Sequence, residues 1–187
     1  MKTKFTAALA LLATPSLALA HPGHDHHSFS AGLLHPVTGV DHLIMLVAFG
    51  LLVACVALTR TKALKLAGAG IASLMVGLFA GQMLGFAAMV EPAIIASLFV
   101  VSVCLWQAFS PSTARVNVAS GAAVAMLFFH GYAHGVEATG SVSLFAMGML
   151  LSAAALMAAG NMVGQVLRSK WLSLGVASAS AVLLLAA

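Results

Sequence analysis

An all-α membrane protein, a six-helix transmembrane bundle behind a cleaved signal peptide, is the fold this sequence predicts. Three observations predict it. First, 62% of the residues are hydrophobic and only 6% are charged, whereas soluble domains average about 25% charged residues and need them to cover a water-facing surface. Second, the apolar runs are long, rich in Ala, Leu, Gly and Met, and do not alternate, which favours helices over the strands of a barrel. Third, the few Lys and Arg residues fall in alternate loops, as they do in a chain that crosses a membrane repeatedly.

The first element is a targeting signal. Residues 1–20 read MKTKFTAALALLATPSLALA: Lys2 and Lys4 form a positive start, an apolar stretch follows, and Ala18-Leu19-Ala20 fits a small-x-small cleavage site. Cleavage is preferred over an uncleaved first helix, because the stretch is short and a polar, His-rich segment follows. The mature chain would then begin at His21 on the periplasmic side.

Residues 21–34 read as a periplasmic arm. Its start, His21-Pro22-Gly23-His24-Asp25-His26-His27, places four histidines where they can catch metal, although short His-rich tracts also occur as plain solvated tails. A tethered arm of this kind raises the local metal concentration at the membrane.

Residues 35–187 form the membrane domain. Apolar helices are expected at 36–58, 66–89, 92–109, 117–137, 141–160 and 171–187, each near the length that crosses about 30 Å of hydrocarbon. With His21 outside, Arg60, Lys62 and Lys65 fall in the first inner loop, Arg115 in the second, and Arg168 and Lys170 in the third. Every Lys and Arg beyond the signal thus lies on the cytoplasmic side, so the number of spans and the orientation support each other. The formal charge of +4 records this topology. It forms no basic stripe with interleaved aromatics, and nucleic acid is not an expected partner.

Gly77, Gly81 and Gly85 recur every four residues in the second span and share one helix face, which permits close helix contact. Gly121 and Gly131 point to tight packing of the fourth. Cys55 and Cys104 lie far apart in apolar runs; they make no disulfide framework and read as small buried hydrophobes.

Six ionisable residues stand out at membrane depth, where such groups are costly and usually face a bundle interior or a water path. His35, Asp41 and His42 open the first span; His130, His134 and Glu137 close the fourth. The topology puts both clusters at the same outer level. His130, His134 and Glu137, at i, i+4 and i+7, share one helix face, and two imidazoles with a carboxylate form a chelating set. Gly131 and Gly135 flank these histidines and leave room around them. Pro36 and Gly39 predict a bent entry to the first span, a backbone tolerated where it lines a cavity. That bend lets His35 fold back toward Asp41 and His42. Met45, one turn below His42, offers a soft ligand or simply core packing. Gln82, Cys55, Cys104 and the methionines are the few donors expected in the inner half, where weak ligands would let an ion leave.

The string His35-Pro36-Val37-Thr38-Gly39-Val40-Asp41-His42 resembles the HPxxGxDH motif of the HupE/UreJ family. Phe129-His130-Gly131-Tyr132-Ala133-His134-Gly135-Val136-Glu137 resembles that family's FHGxAHGxE motif. The two occur in order and the resemblance covers essentially the whole mature chain. It implies a nickel permease, with cobalt in some members, linked to nickel hydrogenase or urease maturation. It also implies that His35, Asp41, His42, His130, His134 and Glu137 form the metal path.

The expected function is therefore import of a divalent transition metal, nickel first and Co²⁺ or Zn²⁺ next, across the inner membrane. Imidazole nitrogens suit these ions better than Mg²⁺ or Ca²⁺, whereas the choice of nickel comes from the resemblance alone. Neutral imidazoles bind metal, so uptake should fall as external pH drops through the imidazole range. The expected partners are the metal ion and the lipid bilayer, with no permanently bound cofactor. No GxxxxGK[ST] string provides for ATP, and no enzyme activity is expected. Two alternatives stay open: a metal-binding accessory or sensor protein, and an intramembrane metal-dependent hydrolase.

Overall fold

A computed structural model of the chain describes residues 28–137 and 142–186. The signal sequence and the histidines of the arm, His21, His24, His26 and His27, lie outside the described residues. Those described form seven helices and no strand: α1 (Phe29–Thr38), α2 (Val40–Val56), α3 (Arg60–Leu84), α4 (Val90–Gln107), α5 (Thr113–Glu137), α6 (Val142–Leu167) and α7 (Leu172–Ala186).

The expected first span is two helices. Ser28 caps α1 by accepting a hydrogen bond from the Ala31 N–H at 3.1 Å. Pro36 sits inside α1, and Gly39 then takes an extended backbone, φ −78° and ψ 108°. The chain turns there by 80° before α2 begins. Because α1 starts at Phe29, it runs across the 34/35 boundary drawn between arm and membrane domain.

The helices α3, α4, α5 and α6 are each long and apolar enough to cross a membrane, and the bent α1–α2 pair qualifies as a fifth, broken span. The chain is thus a multi-pass membrane protein. The expected sixth span, α7, has 15 residues, about 22 Å of helix at 1.5 Å per residue, short of a hydrocarbon core of about 30 Å. Two other boundaries moved for visible reasons. Thr59 caps α3 by accepting from the Lys62 N–H at 3.3 Å, so α3 starts at the basic cluster instead of at 66. Gly160, expected to end its helix, instead lies against the backbone of Val47, and α6 continues to Leu167.

Helix α2 is the centre of the bundle. From Met45 to Cys55 nearly every residue is buried, on all sides of the helix, as expected for a helix apolar all round. It packs against α6, α4, α7, α5 and α3.

Helices α3 and α5 meet through reciprocal glycines. A Cβ on Gly77 or Gly81 would run into the carbonyls of Phe128 or Tyr132, and one on Gly131 or Gly135 would run into those of Leu74 or Leu78. Such contact brings two backbones together in a membrane. The expectation that Gly131 and Gly135 clear space around the histidines is therefore corrected. Each lies one residue beyond its histidine, about 100° further round the helix, and clears space for α3. Gly85 does not extend the stripe: it caps α3 with φ 73°, a left-handed conformation that costs glycine little.

The same device holds α1. Gly32 lies against the backbone of Phe145 and Gly148 against that of Phe29, so α1 is fixed chiefly on α6 rather than on its neighbour α2.

Candidate metal centre

Three helices and the bend bring the four described histidines together. His35 comes from α1, His42 from the first turn of α2, and His130 and His134 from the last turns of α5. The imidazole centroids are 4.4 Å apart for His42 and His134, 4.5 Å for His35 and His134, 4.9 Å for His42 and His130, and 5.4 Å for His35 and His42. His42, His130 and His134 are 8%, 1% and 2% exposed. Phe145 of α6 closes one side, its ring 6.0 Å from that of His35 and 6.1 Å from that of His134.

The hydrogen bonds assign the tautomers of two rings. His42 Nδ1–H donates to Asp41 Oδ1 at 2.8 Å, which turns Nε2 into the free, lone-pair nitrogen. Ser97 of α4 donates its hydroxyl proton to the Ile94 carbonyl at 2.6 Å. Its oxygen therefore accepts from His130 Nε2–H at 2.8 Å, and His130 Nδ1 keeps its lone pair. A carboxylate or hydroxyl on the far nitrogen is how metal-ligating histidines are usually held.

The nitrogens left over are the notable feature. His42 Nε2, His130 Nδ1 and His134 Nδ1 are buried and have no hydrogen-bond partner. A buried polar atom left unsatisfied costs about 1–3 kcal/mol, and three in one cluster need a common explanation. Two sets have all their donor atoms within 4.8 Å of one another: His35, His42 and His134, and Asp41, His42 and His130. His42 belongs to both. A cation in either set would meet orphaned nitrogens: those of His42 and His134 in the first, those of His42 and His130 in the second.

Asp41 stands differently from the histidines. Its Oδ1 is already engaged by His42, and its side chain is 29% exposed, so in this conformation it orients His42. Gly39 packs beneath the pair; an added Cβ would sit 3.0 Å from His42 Nδ1 and 3.3 Å from Asp41 Oδ1. Glu137 ends α5, and its side chain lies outside the described residues.

Below the cluster the bundle is apolar. Met45, Phe49, Leu127, Leu98 and Val101 are all essentially buried and belong to one core. Met45 is thus part of the packing under His42. Gln82 does not serve the inner half: it is exposed in the last turn of α3, and its backbone N–H lies beside Gly135, at the histidine end. Cys55 and Cys104 are free and buried, as small hydrophobes would be. Ser97 was not singled out in the sequence. A serine in an apolar run carries no mark of a partner 33 residues away.

The HupE / UreJ protein family matches residues 9–187. The chain is also 35% identical over 153 residues to Protein HupE of Rhizobium leguminosarum bv. viciae, covering 76% of this chain and 75% of that protein. No solved structure matches it. The chain belongs to the HupE/UreJ family.

Proposed function

We propose that this member of the HupE/UreJ family imports a divalent transition metal, nickel first and cobalt or zinc next, across the bacterial inner membrane. The observation that carries the reading is the convergence of four imidazoles with three buried ring nitrogens left open. Imidazole donors suit borderline ions of this kind and disfavour Mg²⁺ and Ca²⁺, which seek oxygen. Copper would bind at least as well by the same order of affinities, so the preference for nickel rests on the family.

In this reading the protein makes six crossings, with α1–α2 as the broken first and α7 as the short last. The mature N-terminus is periplasmic and its four histidines, His21, His24, His26 and His27, collect metal. Asp41 and Glu137 draw the hydrated cation inward. His35, His42 and His134 replace part of its water shell, and His42 passes it toward His130, since the two donor sets share that ring. Asp41 keeps the Nε2 of His42 turned toward the ion. The apolar residues below must part for the ion to leave. An inside-negative potential favours entry of a 2+ ion by about 4.6 kcal/mol per 100 mV.

The same closure favours a second reading, a static metal-binding accessory or sensor protein that moves nothing by itself. Liposomes carrying the purified protein and a metal-sensitive dye separate the two. Nickel entry that His42→Ala and His134→Ala abolish, with both variants folded, is the expected result. A well-folded wild type that admits no metal would overturn import and leave the static site.

A further inference from the structure

A second concave feature lies at the opposite end of the bundle. A cleft of about 970 Å³ opens between the end of α2, the start of α3 and the end of α6. Leu64, Ile71 and Met157 are among its apolar walls, and Arg60, Arg168, Asn161 and Gln165 also line it. Among the described residues no carboxylate, histidine or cysteine does, so the two arginines stand there without a lining anion. That balance repels a divalent metal and rules the cleft out as a continuation of the ion path.

Arg168 is held there at a conformational cost. It follows the last turn of α6, its N–H donating to the Gly164 carbonyl at 2.9 Å, and it is the non-glycine residue with positive φ among those described, at 28°. Glycine fills such helix-ending positions with less strain. An arginine at this place puts a long cationic side chain on the cleft that glycine would not. Gln165 Nε2 donates to Asn161 Oδ1 at 2.6 Å, which fixes the Asn161 amide and leaves its own N–H₂ to donate. Guanidiniums beside amide donors match a phosphate, which they grip with charge-assisted, often bidentate bonds.

The walls say which phosphate. They come from helices α3 and α6, long and apolar enough to cross a membrane, and from the central helix α2. The cleft therefore joins a cationic rim to an apolar slot at membrane depth. We propose that it binds an anionic phospholipid, the phosphate diester on Arg60 and Arg168 and the acyl chains along Leu64, Ile71 and Met157. Basic pockets between membrane helices take such headgroups. The lipid wedges α2, α3 and α6 at the end remote from the histidines.

Native mass spectrometry of the full-length protein in mild detergent, supplied with phosphatidylglycerol or with phosphatidylcholine, tests this. Phosphatidylglycerol should be retained well above phosphatidylcholine, whose choline cation the two arginines oppose. Arg60→Gln/Arg168→Gln should lose about tenfold or more of the retained lipid, since each tenfold corresponds to about 1.4 kcal/mol and charged hydrogen bonds are worth that much. Lys62→Gln/Lys65→Gln removes the same charge from the same end of the bundle, in the first turns of α3, without touching the cleft, and should retain lipid as the wild type does. Ala158→Phe, which keeps both arginines and fills the slot, should also lose it, with thermal melting in detergent confirming that each variant is folded. Equal loss in the lysine variant would reduce the effect to diffuse charge and overturn the proposal. So would full retention by the double arginine variant or by Ala158→Phe, displacement by millimolar inorganic phosphate, or a protein dimer that persists after the lipid is stripped and is lost in Ala158→Phe.

Discussion

At one end of the bundle His35, His42, His130 and His134 converge beside Asp41, with no Lys or Arg on the helices' adjoining turns. At the other end Arg60, Lys62, Lys65, Arg115, Arg168 and Lys170 line the turns, with no histidine or carboxylate among them. Between the two lies the apolar core around Phe49 and Leu127. The difference fits the roles proposed for the two ends. Metal binding needs neutral lone pairs, which nearby cations would oppose; orientation in a membrane needs fixed positive charge, which metal would avoid. Lys170 marks the second role well. Its ammonium lies 5.0 Å from the ring centre of Trp106 and 5.4 Å from that of Trp171, the pairing of cation and aromatic girdle typical of a membrane interface.

The contrast breaks most visibly if metal affinity survives loss of a histidine. His134→Ala should weaken nickel binding, measured by calorimetry on the detergent-solubilised protein, by more than about 100-fold, beyond the 10–100-fold typical of removing a group that only orients a ligand. Arg115→Gln, at the opposite end, should leave the same binding curve in place. Next in size is the frame. Gly135→Leu drives a side chain into the Leu78 carbonyl and should cost about 3 kcal/mol, at the top of the overpacking range, seen as a lower melting temperature together with lost metal binding. If α3 tolerated it, the glycine contact would not be what positions His134.

Removing an orienting group sharpens the picture further. Ser97→Ala strips the acceptor from His130 Nε2–H, and Asp41→Asn weakens the hold on His42. Each should cost about tenfold in affinity with the fold retained. A Ser97→Ala protein that bound nickel as the wild type does would show that His130 is not oriented by that bond. Proton competition comes next: because bound imidazoles must be neutral, uptake into liposomes should decline as external pH is lowered through the imidazole range and recover when it is raised. Uptake flat from neutral pH to pH 5 would argue against histidine ligation. The smallest effect is expected at the inner core. Cys55→Ala/Cys104→Ala should change nickel affinity less than about twofold, since buried free cysteines behave as small hydrophobes; a larger loss would place donors where the comparison puts none.

Much of this was legible residue by residue. Apolar runs with scarce charge gave the helices, because a backbone in hydrocarbon has few other ways to satisfy its N–H and C=O groups. Pro36 and Gly39 marked the bend, since one lacks a helical N–H and the other tolerates an extended break. The i, i+4 spacing put His130 and His134 on one face. What stayed hidden depended on partners far along the chain. Gly131 and Gly135 read as space for the histidines until α3 proved to occupy it. Gln82 read as an inner donor, although α3 carries it to the histidine end. Ser97 carried no signal at all.

By itself, then, the sequence determined which segments are helical, where charge lies along them, and which imidazoles share a helix face, because each of these is a local or periodic property of the chain. Tertiary structure alone decided that α1 rests on α6, that Ser97 of α4 holds His130, and that Arg60 and Arg168 line one cleft. Those depend on how closely two backbones can approach, and that is set jointly by glycines on helices that are distant in sequence.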